Sequence, residues 1–379
     1  MRQHSDFLVV GAGIAGSSVA YELSKHASVL LIERESQAGY HTTGRSAAVY
    51  TEIYGNDVIR HLTIASGTFF ADPPSQFSES VLWSPRPVIM IGREDQLGDI
   101  GALHEHAIKL APEVRLVDAC ELKQQAGMLK PGYAAAGLMD PNSRDLDVHS
   151  IHFGFLRAAR KQGCEFVRDA NVRSIERDGG WKIETTAGTM TGRVLVNAAG
   201  AWADVVAELA GVRPVGLVPK RRSAFVFMPQ PASDVRHWPV IIDVAETFYF
   251  KPDAGRLLGS PADETPSPPC DAQPDDIDIA IAIDRICKAA DFSIPTIENK
   301  WAGLRSFVAD KTPVVGFDDQ IEDFFWLAGQ GGYGIQTSPA MARAASRLAL
   351  RKSLPEDLLR FEIDERMLSP SRLRHGVAS

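Results

Sequence analysis

The stretch that most restricts this chain lies at its start. Asp6-Phe-Leu-Val-Val-Gly11-Ala-Gly13-Ile-Ala-Gly16 is followed by Ser28-Val-Leu-Leu-Ile-Glu33. An apolar run, a glycine turn, a small-residue segment, a second apolar run and an acid occur in the order of a βαβ dinucleotide site. Gly11 permits the tight turn, Gly13 lets the backbone approach a pyrophosphate, and Gly16 lets helix and strand pack closely. Ile14 and Ala15 open the helix, where free N–H groups and the positive dipole end favour phosphate. Glu33 is placed to accept hydrogen bonds from an adenosine ribose, and its charge repels a 2′-phosphate. The expected fold is mixed α/β, with a Rossmann-type domain.

Composition narrows the function classes. The chain has 379 residues, 45% hydrophobic and 23% charged, which is ordinary for a globular protein with two or three domains. Net charge is −8, and no basic cluster exceeds Lys220-Arg221-Arg222, which argues against nucleic-acid binding. Cys120, Cys164, Cys270 and Cys287 are scattered without CxxC spacing, so neither a metal site nor a disulfide framework is expected. Residues 7–16 read as a buried strand and its turn rather than a signal-peptide core. No apolar run is long enough to span a membrane. These features suit a cytoplasmic protein, and a monomer is expected.

Three further segments favour FAD over NAD. Thr42, Thr43, Gly44, Arg45, Ser46, Ala47 and Ala48 follow Glu33 and Arg34 closely and form a small-residue turn expected to open a helix. A buried strand runs from Val194 into Ala199, Gly200 and Trp202, where small residues let the backbone lie against a flat group. A third strand ends in Gly331, Gly332, Tyr333, Gly334, Ile335, Gln336 and Thr337, with a helix expected from Ile335 to Arg351. The start of that helix suits the flavin edge that gains negative charge on reduction. Val172 joins this cofactor set. With no second GxGxxG, electrons are expected from a substrate bound directly against the flavin.

The cofactor elements fall at 1–50, 145–220 and 305–379, leaving 51–144 and 221–304 for a substrate domain with alternating, mostly antiparallel strands. Helices are expected at 95–110, 118–126, 148–162 and 274–290, an exposed loop at 261–269, and an exposed tail after Leu368.

Gly39-Tyr-His-Thr-Thr-Gly-Arg-Ser-Ala-Ala, Pro219-Lys-Arg-Arg-Ser-Ala-Phe, Trp301-Ala-Gly-Leu-Arg-Ser-Phe-Val-Ala-Asp310 and Gln330-Gly-Gly-Tyr-Gly-Ile-Gln-Thr together resemble the D-amino-acid oxidase and glycine oxidase superfamily of FAD enzymes, and within it the bacterial D-arginine dehydrogenases. The resemblance runs almost end to end. It implies oxidation of a D-amino acid to an imino acid, with Arg222 and Arg305 on the substrate carboxylate. It places Tyr54 on a lid and Tyr249 on a strand, with its ring opposed to Phe248 and Phe250, both near substrate. Gln336 and the Gly332 carbonyl would contact flavin or the amino group. Where the D-arginine enzymes carry a histidine and a glutamate, this chain has Val49 and Val88. A cationic side chain would lose its partner there, so uncharged D-amino acids are expected; Glu52, close to Tyr54, keeps a cationic substrate open but is expected as an exposed lid acid.

The expected chemistry is transfer of the Cα–H as hydride, with water or Tyr249 taking the ammonium proton and oxygen or a quinone reoxidising the flavin. The competing readings are oxidation of 2-hydroxy acids, oxidation of N-methyl amino acids, and a non-catalytic nucleotide sensor.

Overall fold

The computed structural model describes residues 4–374. An eight-stranded sheet carries the glycine turns at its strand ends. Its parallel centre runs in the order Glu165–Val167, Val29–Ile32, Ser5–Val10, Gly188–Asn197, Phe324–Ala328. The two central strands are buried along almost their whole length, as an all-parallel arrangement covered on both faces requires. The Val172–Arg177 and Trp181–Thr185 strands form an antiparallel extension, and Val314–Phe317 pairs antiparallel with Phe324–Ala328. Helix Ile14–Leu23 packs between helices Val148–Lys161 and Ser338–Ala349.

A nine-stranded sheet stands beside it, antiparallel except where Val88–Gly92 lies parallel to Val240–Asp243. Phe225, Phe227, Phe248 and Phe250 fill the core on one side of this sheet together with Ile279, Ala282 and Ile286 of helix Asp276–Ala289. Strands Val218–Phe227 and Asn299–Phe307 run across the expected domain borders at 220 and 304. They therefore carry side chains from one sheet toward the other. Asn299–Phe307 pairs with one strand only, Val218–Phe227; along its other edge the carbonyls of Ala302, Leu304 and Ser306 accept from Arg45, Thr42 and the Gly331 N–H. A small third sheet joins Val49–Tyr50, Arg144–Leu146 and Trp83–Pro85.

The four expected helices form as Leu97–Ala107, Ala119–Gln125, Val148–Lys161 and Asp276–Ala289. The last three are capped by the side chains of Asp118, Asp147 and Asp275. Three expectations are corrected. No helix follows Gly44. Residues 41–45 form turns that lead into the Val49–Tyr50 strand, because Arg45 is drawn away to the carbonyls of Ala272 and Ala302 at 3.0 and 2.9 Å and to the Asp271 carboxylate. The C-terminal helix starts at Ser338, with Pro339 in its first turn, and Ile335–Thr337 stay in a turn before it. The segment after Leu368 is pinned as far as residue 374, since Arg372 grips Asp310 and Arg374 pairs with the buried Asp318; residues 375–379 lie outside the described residues.

Among the described residues no helix is long and apolar enough to cross a membrane, and no group of His, Cys, Asp or Glu could hold a metal ion.

Candidate active site

A long cleft runs between the two sheets, from Glu33, Arg34 and Val172 at one end to Arg222, Tyr249 and Arg305 at the other. The first glycine turn is built for close approach. Gly11 has φ +98°, and a Cβ there would sit 2.6 Å from the Ala198 carbonyl oxygen. A Cβ at Gly16 would lie 1.8 Å from the Gly11 oxygen, so helix and turn meet through bare backbone. Gly16 thus shapes the turn from behind and does not line the cleft.

At the outer end the Glu33 carboxylate is fixed by two backbone donors, the Ala12 N–H at 2.7 Å and the Glu35 N–H at 3.0 Å. That holds it at the strand end where a ribose would lie. The Ile14 N–H donates to the Thr43 hydroxyl at 3.0 Å. Arg34 stacks over Trp202 at 4.1 Å, and His41 packs on the same indole with centroids 4.7 Å apart. Below the turn, the buried His152 ring lies 2.8 Å from the Ala12 carbonyl. Burial holds its pKa below the ordinary value, so the ring is neutral and donates Nε2–H to that oxygen.

At the inner end, strand register sets the two arginines. Arg222 stands opposite Gly303 and Arg305 opposite Lys220, so the two project as diagonal neighbours on one face. Their surroundings differ. Arg222 donates to the Asp263 carbonyl at 2.9 Å and to Glu264 at 3.3 Å. The 261–269 loop is therefore not merely exposed: Asp263 also takes the Ser223 N–H at 2.6 Å, and Thr265–Pro266 adds a short strand. Arg305 has no carboxylate within ion-pair distance among the described residues. Its hydrogen bond goes to the Tyr54 hydroxyl at 3.3 Å. Burial opposes its charge, but the oxygens of Tyr54, Tyr249 and Tyr333 outweigh this and its pKa is raised, so it stays a cation.

Gly332 packs directly on that guanidinium, since a Cβ there would lie 2.8 Å from Arg305 Cζ. Gly331, at φ +55°, would drive a Cβ to 2.2 Å from the Phe307 ring. No described residue accepts from the N–H groups of Gly332, Gly334 or Ile335. Tyr249 lines the cleft while Phe248 and Phe250 are buried in the core, as strand alternation requires. Tyr54 packs edge-on against Tyr333, centroids 5.1 Å apart, and its hydroxyl reaches Glu246 at 3.4 Å. Burial raises its pKa, so it remains a neutral phenol.

The structure brings most of the expected residues onto this cleft: Gly13, Ala15, Thr42, Arg45, Ser46, Ala47, Ala199 and Gly200 line it beside those already named. Others stand elsewhere. The Gln336 side chain is turned into the protein, with its amide oxygen taking the Thr51 N–H at 3.3 Å and its nitrogen donating to Thr63 at 3.0 Å. Thr337 bonds the Tyr333 carbonyl and is fully buried. Gly44 folds back on Gly39, and the Ala48 carbonyl accepts from Leu146. Val88 belongs to an apolar cluster with Val49, Ile53, Val240 and Ile242 and is core rather than pocket lining. Glu52 is not an exposed acid: it is half-buried and accepts from Tyr50 at 2.7 Å, and burial raises its pKa. The sequence reading missed Asn171, Leu304, Ser306 and Gln330, which line the cleft. Asn171 lies in no motif, and Leu304 and Ser306 flank Arg305 in the Trp301–Asp310 segment, where the arginine alone was singled out. Gln330 sits inside a motif, but the reading favoured the glutamine six places on.

The cradle fits FAD by its own geometry. It combines three glycines that a Cβ would block, free N–H groups at both ends, and two buried polar side-chain atoms on its wall, Ser306 Oγ and Gln330 Nε2, that lack a partner. Comparisons with known proteins agree. Glycine oxidase of Bacillus subtilis is 22% identical over 97% of this chain and 99% of its own length. Mouse mitochondrial dimethylglycine dehydrogenase is 23% identical over 95% of this chain, which spans only 44% of that protein. The chain thus covers less than half the length of the dimethylglycine dehydrogenases it matches. Among solved structures, L-proline dehydrogenase from P. horikoshii superposes with a TM-score of 0.83 at 19% identity over 99% of both chains. Glycine oxidase from Geobacillus kaustophilus gives 0.82 at 18% identity over 95% of this chain and 98% of its own. The family model for DAO, FAD dependent oxidoreductase, matches residues 6–348, and the chain belongs to that family.

Proposed function

We propose that this chain oxidises α-amino acids that carry a free carboxylate, with D-configured, uncharged substrates as the preferred class. The observation that carries this reading is Arg305, a half-buried cation on the cleft wall whose hydrogen bond goes to a phenol and not to a carboxylate. A buried charge without a counterion is costly, and a substrate carboxylate relieves that cost while fixing the substrate's orientation. A planar guanidinium also matches a carboxylate bidentately.

The roles of the remaining groups follow from their places. Arg305 would take the carboxylate, with Arg222 beside it and Tyr54 and Tyr249 closing round the head group. Gly332 leaves the guanidinium undisplaced. Bound FAD supplies the two-electron acceptor for the Cα–H hydride. The ammonium loses a proton first, because only its free lone pair can form the C=N bond. Among the lining residues the inner end holds no carboxylate or imidazole, which favours water as the proton acceptor. The imine then hydrolyses to a keto acid and ammonia. The preference for uncharged side chains draws support from the inner end of the cleft, whose lining residues include no carboxylate to pair with a cationic side chain.

A second reading, oxidation of N-substituted amino acids, draws support from the likeness to dimethylglycine dehydrogenase and to the solved iminodiacetate oxidase of Chelativorans, 21% identical with a TM-score of 0.79. The deciding experiment is anaerobic bleaching of the flavin. D-Leucine or D-methionine should bleach it fastest. Faster bleaching by sarcosine selects the second reading. Faster bleaching by D-arginine overturns the uncharged preference, and bleaching by D-lactate alone overturns both amine readings.

A further inference from the structure

Two groups on the cleft wall have no task in the reading above. Ser306 is buried, its hydroxyl has no partner, and it lines the cleft. The Gln330 amide nitrogen is likewise buried, unpartnered and on the wall. Leaving one such group unmet costs about 1–3 kcal/mol, so two on one wall call for a common ligand. They are neighbours, since the Gly331 N–H next to Gln330 donates to the Ser306 carbonyl at 3.0 Å.

The ligand is not the substrate. Along an antiparallel strand successive side chains point to opposite faces. Arg305 shares its face with Gly303 and Arg222, whereas Ser306 shares the opposite face with Leu304. A carboxylate held by Arg305 therefore lies across the strand from Ser306. Gln330 packs its Cβ where a Gly334 side chain would be, 3.3 Å from that position, and Ile14 of the first glycine turn lies 3.4 Å from it. Gln330 thus sits between the first glycine turn and the Gly331–Ile335 turn, and Ser306 is tied to the same place by its backbone bond to Gly331. The glutamine expected to serve here, Gln336, is already satisfied by Thr51 and Thr63.

We infer that Ser306 and Gln330 hydrogen-bond the flavin half of FAD and hold it in the cleft. Gln330 donates through Nε2, and Ser306 can donate or accept. This inference rests on FAD binding and not on the substrate assignment.

The test removes bound FAD and titrates the apoprotein back with FAD, following quenching of flavin fluorescence. Gln330→Met and Ser306→Ala keep size and shape but remove the hydrogen bonds. Each should raise the FAD dissociation constant about tenfold, with a larger rise in the double variant. ADP, which lacks the flavin half, should bind apoprotein of all variants as tightly as the parent. Gln336→Met serves as the contrast: it should lower the melting temperature of the apoprotein while leaving FAD affinity within about twofold. FAD affinities of the Gln330 and Ser306 variants within twofold of the parent overturn the inference, as does an equal loss of ADP affinity. Thermal melting of each apoprotein identifies a variant that fails to fold, and in that case Gln330→Glu, which keeps the shape but replaces the donor, supplies the same readout. Bleaching of the parent by amino acids is a separate measurement, so the substrate reading can stand or fall independently.

Discussion

Replacing Arg305 by methionine tests the site at its most demanding point, because it should move activity and stability in opposite directions. The guanidinium faces the cleft with a phenol as its hydrogen-bond partner and no carboxylate among the described residues, so a bound substrate anion would serve as its counterion. Removing one partner of a buried ion pair costs about 3–5 kcal/mol. At 1.36 kcal/mol per decade, kcat/KM for the best amino acid should fall by at least about 100-fold. The resting protein has no such pair to lose. Methionine fills similar space without a charge to desolvate, so the melting temperature should hold or rise. Arg222→Met gives the contrast. Arg222 is only 8% exposed and already bonds Glu264 and the Asp263 carbonyl, so its loss leaves acceptors unmet and should lower the melting temperature. Steady-state kinetics with an amino acid and its amide, together with scanning fluorimetry, read both effects. The parent should discriminate strongly against the amide and Arg305→Met should not. A loss below tenfold, or a drop in melting temperature matching that of Arg222→Met, refutes the reasoning.

Two further outcomes follow from local geometry. Gly332→Ala places a methyl 2.8 Å from Arg305 Cζ, so the guanidinium must shift; KM should rise about tenfold with FAD content unchanged, measured by kinetics and the protein-to-flavin absorbance ratio. Glu52 has a pKa raised in the folded state, chiefly by burial, with Asp140 adding to the shift. Folding therefore favours its neutral form, and ionisation costs stability as pH rises from the unfolded pKa through the raised one. Glu52→Gln should raise the melting temperature at pH 8 relative to the parent and give no gain at pH 4; a gain equal at both pH values contradicts the assignment.

What the sequence discloses here depends on how local the deciding contact is. The Gly11–Gly16 turn is legible because each glycine answers to backbone one turn or one strand away. Helix Val148–Lys161 is legible from its own period and from Asp147, which caps it. Gln336 and Gln330 are both polar residues in one glycine turn, and nothing nearby tells them apart. The choice is made by Thr51 and Thr63, which meet Gln336 from elements far away in the chain. The missing helix after Gly44 has the same cause, because Arg45 is claimed by Asp271, Ala272 and Ala302. Val88 is core and not cleft wall, and the sequence hides this because its strand is buried at every position, so alternation does not say which face meets the cleft.

Strand Asn299–Phe307 has one more consequence. Parity of position along it sorts side chains into two audiences: Trp301 and Gly303 meet Arg45 and Thr42 and Arg305 meets Tyr54 and Gly332, whereas Ala302 and Leu304 pack with Ala201 and Ala272. Gly303 and Arg305 share the face that meets the Thr42–Arg45 turn, so a change at either is felt on the cleft side, while Leu304 can vary within its own apolar cluster. A single inserted residue ahead of Gly303 would exchange the two sets at once, which makes this short ribbon far less tolerant of length change than of substitution.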